Sequence, residues 1–201
     1  MAKKLDLSIL QGKTFVLHAR WGTIPLIYKS ITAMQQTAPA RVTASGHGIP
    51  DGWQVAVVGA KGMTELNAVN NPLKDADFRV ATVVDSNTVE FNNVSAAGFK
   101  AYVSGGYLAY YTPMSLASYT ARMKIKDKVG GTVLETLTTE NGGITLNNTN
   151  KLITITISAT ATAAYAWKNA VYDLELASGD ATPVVTALLF GKVTVTKEVT
   201  T

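Results

Sequence analysis

A chain of 201 residues that is 47% hydrophobic but only 16% charged carries a net charge of +4. That charged share falls well below the rough quarter usual in soluble domains. With a mean hydropathy of +0.14, it predicts a subunit that packs against neighbours. The lack of cysteine excludes disulfides, thiolate metal sites and cysteine nucleophiles, and fits folding in a reducing cytoplasm.

At the start, Asp6 interrupts Met1-Ala-Lys-Lys-Leu-Asp-Leu, so no signal peptide is expected, and no apolar run is long enough to span a membrane. Leu5, Leu7 and Ile9 alternate with Asp6 and Ser8 before a turn at Gln11-Gly12. Phe15, Leu17 and Ala19 then alternate with outward His18 and Arg20, the two-residue period of a strand. Residues 22–38 read as a linker or loose edge strand. From Pro39 a compact β pattern begins: Arg41–Ala44, the turn Ser45-Gly-His-Gly48, Trp53–Val58, and a hairpin of Phe78–Val84 and Thr88–Phe91 about Asp85-Ser86-Asn87. Gly105-Gly106 leads into Tyr107–Tyr111, and these short strands predict a small barrel over residues 39–112.

Beyond it, Tyr119, Ala121, Met123 and Ile125 alternate with Arg122, Lys124 and Lys126. Ile153, Ile155 and Ile157 alternate with threonines, and Ser158 is placed to cap a short helix over Ser158–Ala164 that bridges two sheets. Tyr172, Leu174 and Leu176 face away from Asp173 and Glu175, and Val193 and Val195 away from Lys192, Thr194 and Thr196. The chain is therefore expected to be all-β: an immunoglobulin-like sandwich of residues 1–21 and 113–201, split by the inserted barrel. Strand Thr14–Trp21 is expected to pair with Tyr119–Lys126, the insert replacing their connecting loop. Insertion at a loop adds a contact surface without disturbing a core.

Catalytic chemistry finds little support. His47 lies near Ser45 and Asp51, but the nucleophile elbow, H-E-x-x-H and P-loop patterns are missing. The loop reads as a tight turn in which Gly46 and Gly48 supply positive φ and His47 caps it or packs on Trp53. His18 reads as a surface or interface histidine. Asp85-Ser86-Asn87 and Asn147–Asn150 lack the alternating carboxylates of a calcium loop. No catalytic residue, metal or cofactor is expected. Arg122, Lys124, Lys126 and Lys128 share a face, but with no aromatic interleaved they read as a solvated strand face, and nucleic acid is not an expected partner. Candidate contact residues are Trp53, Tyr107, Tyr110, Tyr111 and His47, with Tyr102 nearby. Tyr107 and Tyr111 share a face that Tyr110 opposes, and ordinary barrel packing is the competing explanation.

Lys4-Leu-Asp-Leu, Gln11-Gly-Lys-Thr-Phe15 and Arg20-Trp21, continued by Pro113-Met-Ser-Leu-Ala-Ser-Tyr-Thr-Ala-Arg-Met-Lys-Ile-Lys126, resemble a family of small virion proteins of tailed bacteriophages. Thr138-Thr-Glu-Asn-Gly-Gly-Ile-Thr145, Ile153-Thr-Ile-Thr-Ile-Ser158, Val171-Tyr-Asp-Leu-Glu-Leu176 and Gly191-Lys-Val-Thr-Val195 extend the likeness. Val42-Thr-Ala-Ser-Gly-His-Gly-Ile-Pro-Asp-Gly-Trp53 and Ala81-Thr-Val-Val-Asp-Ser-Asn-Thr-Val-Glu-Phe91 resemble phage domains likened to the first catalytic cysteine half-domain of ubiquitin-activating enzymes. That second likeness concerns a small β-barrel; without cysteine, thioester chemistry is excluded.

The resemblance implies a non-enzymatic structural protein of the phage particle, at its tail, baseplate or fibre-attachment region, assembled in the host bacterial cytoplasm. Its implied partners are other virion proteins and copies of itself, with no membrane. Burial of weakly charged β surface and strand addition at exposed edges would drive assembly. Two alternatives remain open: a capsid-decoration or neck protein, and a host-adsorption module that stacks glycans on Trp53 and the tyrosines.

Overall fold

The computed structural model describes residues 2–198; Met1 and residues 199–201, with the ends of the two flanking stretches, lie outside the described residues. The fold is all-β. In chain order come β1 (Lys3–Lys4), β2 (Leu7–Leu10) and β3 (Phe15–Ala19), then β4 (Gly22–Ser30), β5 (Ala33–Gln35), β6 (Ala40–Thr43) and β7 (Trp53–Val58). Next are β8 (Arg79–Val83), β9 (Thr88–Phe91), β10 (Tyr107–Pro113), β11 (Tyr119–Lys126), β12 (Val133–Thr138) and β13 (Ile144–Asn147). After β14 (Leu152–Ile157) a short helix, α1 (Ala159–Ala163), precedes β15 (Asn169–Ser178) and β16 (Val185–Thr196). Contacts divide the chain into two compact units, residues 2–21 with 115–198, and Gly22–Met114.

The discontinuous unit is a β-sandwich. One sheet runs β1-β16-β15-β11-β12, with β2 also on β16, and the other runs β13-β14-β3. The N-terminal segment enters both. β1 and β2 lie parallel to β16, with Lys4 beside Phe190 and Leu7 beside Val193, while β3 runs antiparallel to β14 with Leu17 opposite Ile155. The alternation does what the period of two requires: Ile9, Met123, Ile125, Ile153, Ile155, Ile157, Leu174 and Val193 are buried in one core.

The expected pairing of β3 with β11 does not occur, because β11 sits between β15 and β12. Alternation fixes which side of a strand faces the core but leaves its neighbour open. Here Phe15, Leu17 and Ala19 fall opposite Ile157, Ile155 and Ile153. Ser158 is the N-cap of α1, its Oγ accepting from Ala161 N at 3.1 Å, and α1 carries the chain from one sheet to the other.

The continuous unit is a seven-stranded sheet ordered β4-β10-β7-β8-β9-β6-β5. It curls until its two edge strands, β4 and β5, are consecutive in the chain, separated only by Ile31 and Thr32. Their N–H groups donate to Gly106 O (3.0 Å) and Thr43 O (2.9 Å). Of the two readings of residues 22–38, the edge strand holds and the linker does not: β4 pairs along its length with β10, β5 pairs with β6, and both lie at the edges of the sheet. Nor, among the described residues, does a ladder join β4 to β5, so the predicted barrel is a curled open sheet. Pro25 lies in edge strand β4, where a missing N–H interrupts no inner ladder. Val42, Val55, Val57, Met63, Leu66, Val89, Phe91, Leu108 and Tyr110 fill the core. The first and last strands pair with each other, Gly22 opposite Pro113 and Thr23 opposite Thr112, so this unit's entry and exit lie side by side.

The long connection from β7 to β8 is fastened by Asp77, whose carboxylate accepts from Lys74 N (2.8 Å), Val69 N (3.0 Å) and Asn70 Nδ2 (3.1 Å). The Lys74 N–H is the main reason its pKa lies below the ordinary carboxylate value; burial opposes this, and Asn70 and Val69 add to it. A lowered folded-state pKa contributes stability that is present above the unfolded value, about 3.9, and is lost as pH falls through the folded value. Asp77→Asn is thus expected to lower stability by a constant amount between about pH 5 and 7, a gap that narrows below about pH 4. Urea unfolding of both proteins across that range is the check.

Candidate contact surfaces

Three of the five sequence-predicted contact residues belong to the core of the continuous unit. His47, Trp53 and Tyr110 are buried, so none offers a surface, which corrects the expectation for all three. Gly46 and Gly48 adopt φ of +54° and +64°, and the turn they allow directs His47 inward. His47 Nδ1 accepts from Ile49 N at 2.9 Å, so Nε2 carries the hydrogen and donates to the Asp85 carbonyl at 2.9 Å. Both ring nitrogens are occupied in holding one loop to another. Tyr110 Oη donates to the His47 carbonyl, and burial pushes its phenol pKa up. Trp53 Nε1 donates to Tyr111 O at 3.1 Å. Tyr102 Oη lies 3.0 Å from both the Ile31 and Gly105 carbonyl oxygens, a structural tie between loops.

Tyr107 and Tyr111 do share the face opposite Leu108 and Tyr110, as their spacing requires. Tyr107 is 46% exposed, and Tyr111 is half-buried with its ring stacked on Phe78 at 5.3 Å. Tyr28 on β4, 52% exposed, joins them, meeting Tyr107 edge-on with centroids 6.2 Å apart. Register places Tyr28, Ala109 and Ala56 in one row across β4, β10 and β7. Both alanines are fully buried yet lie on the face away from the core. Tyr28 went unnoticed in the sequence because it falls in the stretch read as a linker or loose edge strand.

The second surface is the outer face of the six-stranded sheet in the sandwich. Register aligns Lys4, Phe190, Asp173 and Lys124 in one row across β1, β16, β15 and β11, and Lys192, Val171 and Lys126 in the next. Together they line a groove of about 430 Å³ with Val129 and Gly130 at its rim. Phe190 is 45% exposed. Arg122 is paired with Glu175 at 2.8 Å, whereas Lys4, Lys124, Lys126 and Lys192 form no ion pair with any described residue. Lys128 lies beyond the end of β11, in the turn toward β12, and leaves the row.

The free edge of β12 is chemically blocked. Thr136 N donates to Glu135 Oε1 (3.0 Å), Asn141 Nδ2 donates to Thr136 O (2.9 Å), and Thr138 N donates to Asn141 Oδ1 (2.8 Å). Groups that an added strand would need are satisfied locally, which closes this edge to strand addition. Among the described residues no group of His, Asp or Glu side chains converges on a metal-sized site. No described helix is long and apolar enough to cross a membrane. The chain matches no protein-family model and no curated protein.

Because His47 joins two loops from inside the core, His47→Ala leaves the Ile49 N–H and the Asp85 carbonyl without partners. The expected loss is about 1–3 kcal/mol in denaturant unfolding. Tyr107→Ser, which gives up the edge-on contact with Tyr28 but leaves no buried polar group unpaired, is expected to cost about 0.5–1.5 kcal/mol.

Proposed function

We propose that the protein is a non-enzymatic structural subunit of a tailed-bacteriophage particle, working at the tail, baseplate or fibre-attachment region through protein–protein contacts. The observation that carries this reading is the splicing of one compact unit, with its own core and paired ends, into the chain of another. Such an arrangement multiplies contact surface while each core stays intact. The low charge, the outward Phe190, Tyr28 and Tyr107, and the resemblance of the flanking segments to small phage virion proteins support it. The blocked edge of β12 favours contact by sheet faces over strand addition there, and many copies in one particle would compensate for modest single interfaces.

A glycan-binding reading loses Trp53 and Tyr110 to the core. The remaining exposed pair, Tyr28 and Tyr107, is inclined at 86° and presents no flat stacking platform. A capsid-decoration or neck position differs from the tail in copy number, which follows the symmetry of the structure to which the subunit attaches. Quantitative mass spectrometry of gradient-purified particles is the test. The chain is expected to band with particles at a fixed stoichiometry matching tail symmetry; a chain left wholly in the soluble fraction would overturn the proposal.

A further inference from the structure

We infer that the groove across β1, β16, β15 and β11 is a docking site for an acidic segment of another protein that carries an apolar side chain. The floor is apolar where Phe190 and Val171 face outward, and four lysines, Lys4, Lys124, Lys126 and Lys192, surround it. None of these ammonium groups forms an ion pair with any described residue. Asp173 is the one carboxylate among the groove's lining residues; of its neighbours, Glu175 is engaged by Arg122 and Asp6 accepts from the Lys192 N–H. At about 430 Å³ the groove has the volume of a small binding cleft, room for one anchoring side chain with backbone on either side.

Its walls are fixed in advance. Leu5 N donates to Phe190 O (2.9 Å), Tyr172 Oη donates to Leu5 O (2.8 Å), and Lys192 N donates to Asp6 Oδ1 (2.9 Å). Burial, with Asp6 nearby, pushes the Tyr172 phenol up to about 12, so it stays a donor at neutral pH. A preformed site spends little binding energy on ordering itself. Positive charge at the rim steers and selects an acidic partner, and the desolvated apolar floor supplies the anchor.

Charge alone would also suit a polyphosphate. Asp173 argues against that, since it stands opposite Lys124 and beside Phe190 in the middle of the row, where a phosphate backbone would be repelled. An acidic protein segment avoids this conflict by placing its apolar residue over Phe190 and its carboxylates over the lysines.

This inference rests on the reading of the chain as a contact-making subunit, but the two fail separately. Particle association tests that reading, while the groove is tested on the purified full chain with a displayed library of random peptides. Selection is expected to enrich peptides in which Asp or Glu flank a large apolar residue. A synthetic peptide of the enriched sequence is then titrated by fluorescence anisotropy. Lys124→Glu with Lys126→Glu, and separately Phe190→Ser, each at exposed or half-exposed positions, are expected to weaken it by about tenfold or more. Circular dichroism of each variant confirms that the sandwich is intact. The inference is overturned by no enrichment, by enrichment without the acidic–apolar pattern, or by affinity unchanged in the variants. It is equally overturned if a DNA duplex, a single-stranded oligonucleotide or phosphatidylserine vesicles bind the groove as tightly as the selected peptide.

Discussion

The N-terminal segment completes a sandwich whose remaining strands follow in the chain only after the whole of the other unit. β1 and β2 add to β16 in one sheet and β3 adds to β14 in the other, so without this segment the first sheet loses two strands at its margin and the second loses one. Loop-closure entropy rises only slowly with length, and the intervening chain is not a free loop in any case. Its first and last strands are hydrogen-bonded partners, Gly22 to Pro113, so once folded it spans no more than a tight connection does. Within the sandwich, Trp21 meets Tyr119 edge-on, with centroids 5.5 Å apart, where the chain departs and returns.

Separate cores follow from that constraint, and so does the division of surfaces. The sandwich turns its basic groove outward on the sheet that the N-terminal strands complete, and Lys4 reaches the groove only because β1 lies against Phe190. The continuous unit turns outward a tyrosine pair over fully buried alanines. At β12 the free sheet edge is capped by its own Glu135 and by Asn141. At that edge this favours contact by faces and grooves over strand addition in the proposed particle.

Much of the sandwich was legible in the sequence because its strands are buried on one side only. Ile153, Ile155 and Ile157, or Tyr172, Leu174 and Leu176, announce their faces by alternation. Partnership was not legible: the same alternation suits β3 beside β11 as well as beside β14. The continuous unit was harder still. β7 is buried on both faces, with Val55, Ala56 and Val57 all at zero exposure, so periodicity could not say whether Trp53 pointed in or out. Residues 22–38 could be read as a linker or as a loose edge strand, so neither β4 nor β5 could be bounded and Tyr28 was not singled out. The groove was half visible: the lysine row on β11 follows from spacing, but Lys4, Phe190 and Lys192 join it only through strand pairings that link opposite ends of the chain.

Replacing Gly22–Met114 by a short Gly-Ser connection tests the central claim most directly, followed by thermal and urea unfolding monitored by circular dichroism. If the sandwich is completed across an insert whose ends are paired, the shortened chain keeps its β signature and unfolds in one cooperative transition. A shortened chain that stays unfolded or aggregates, with no cooperative transition, would contradict the account.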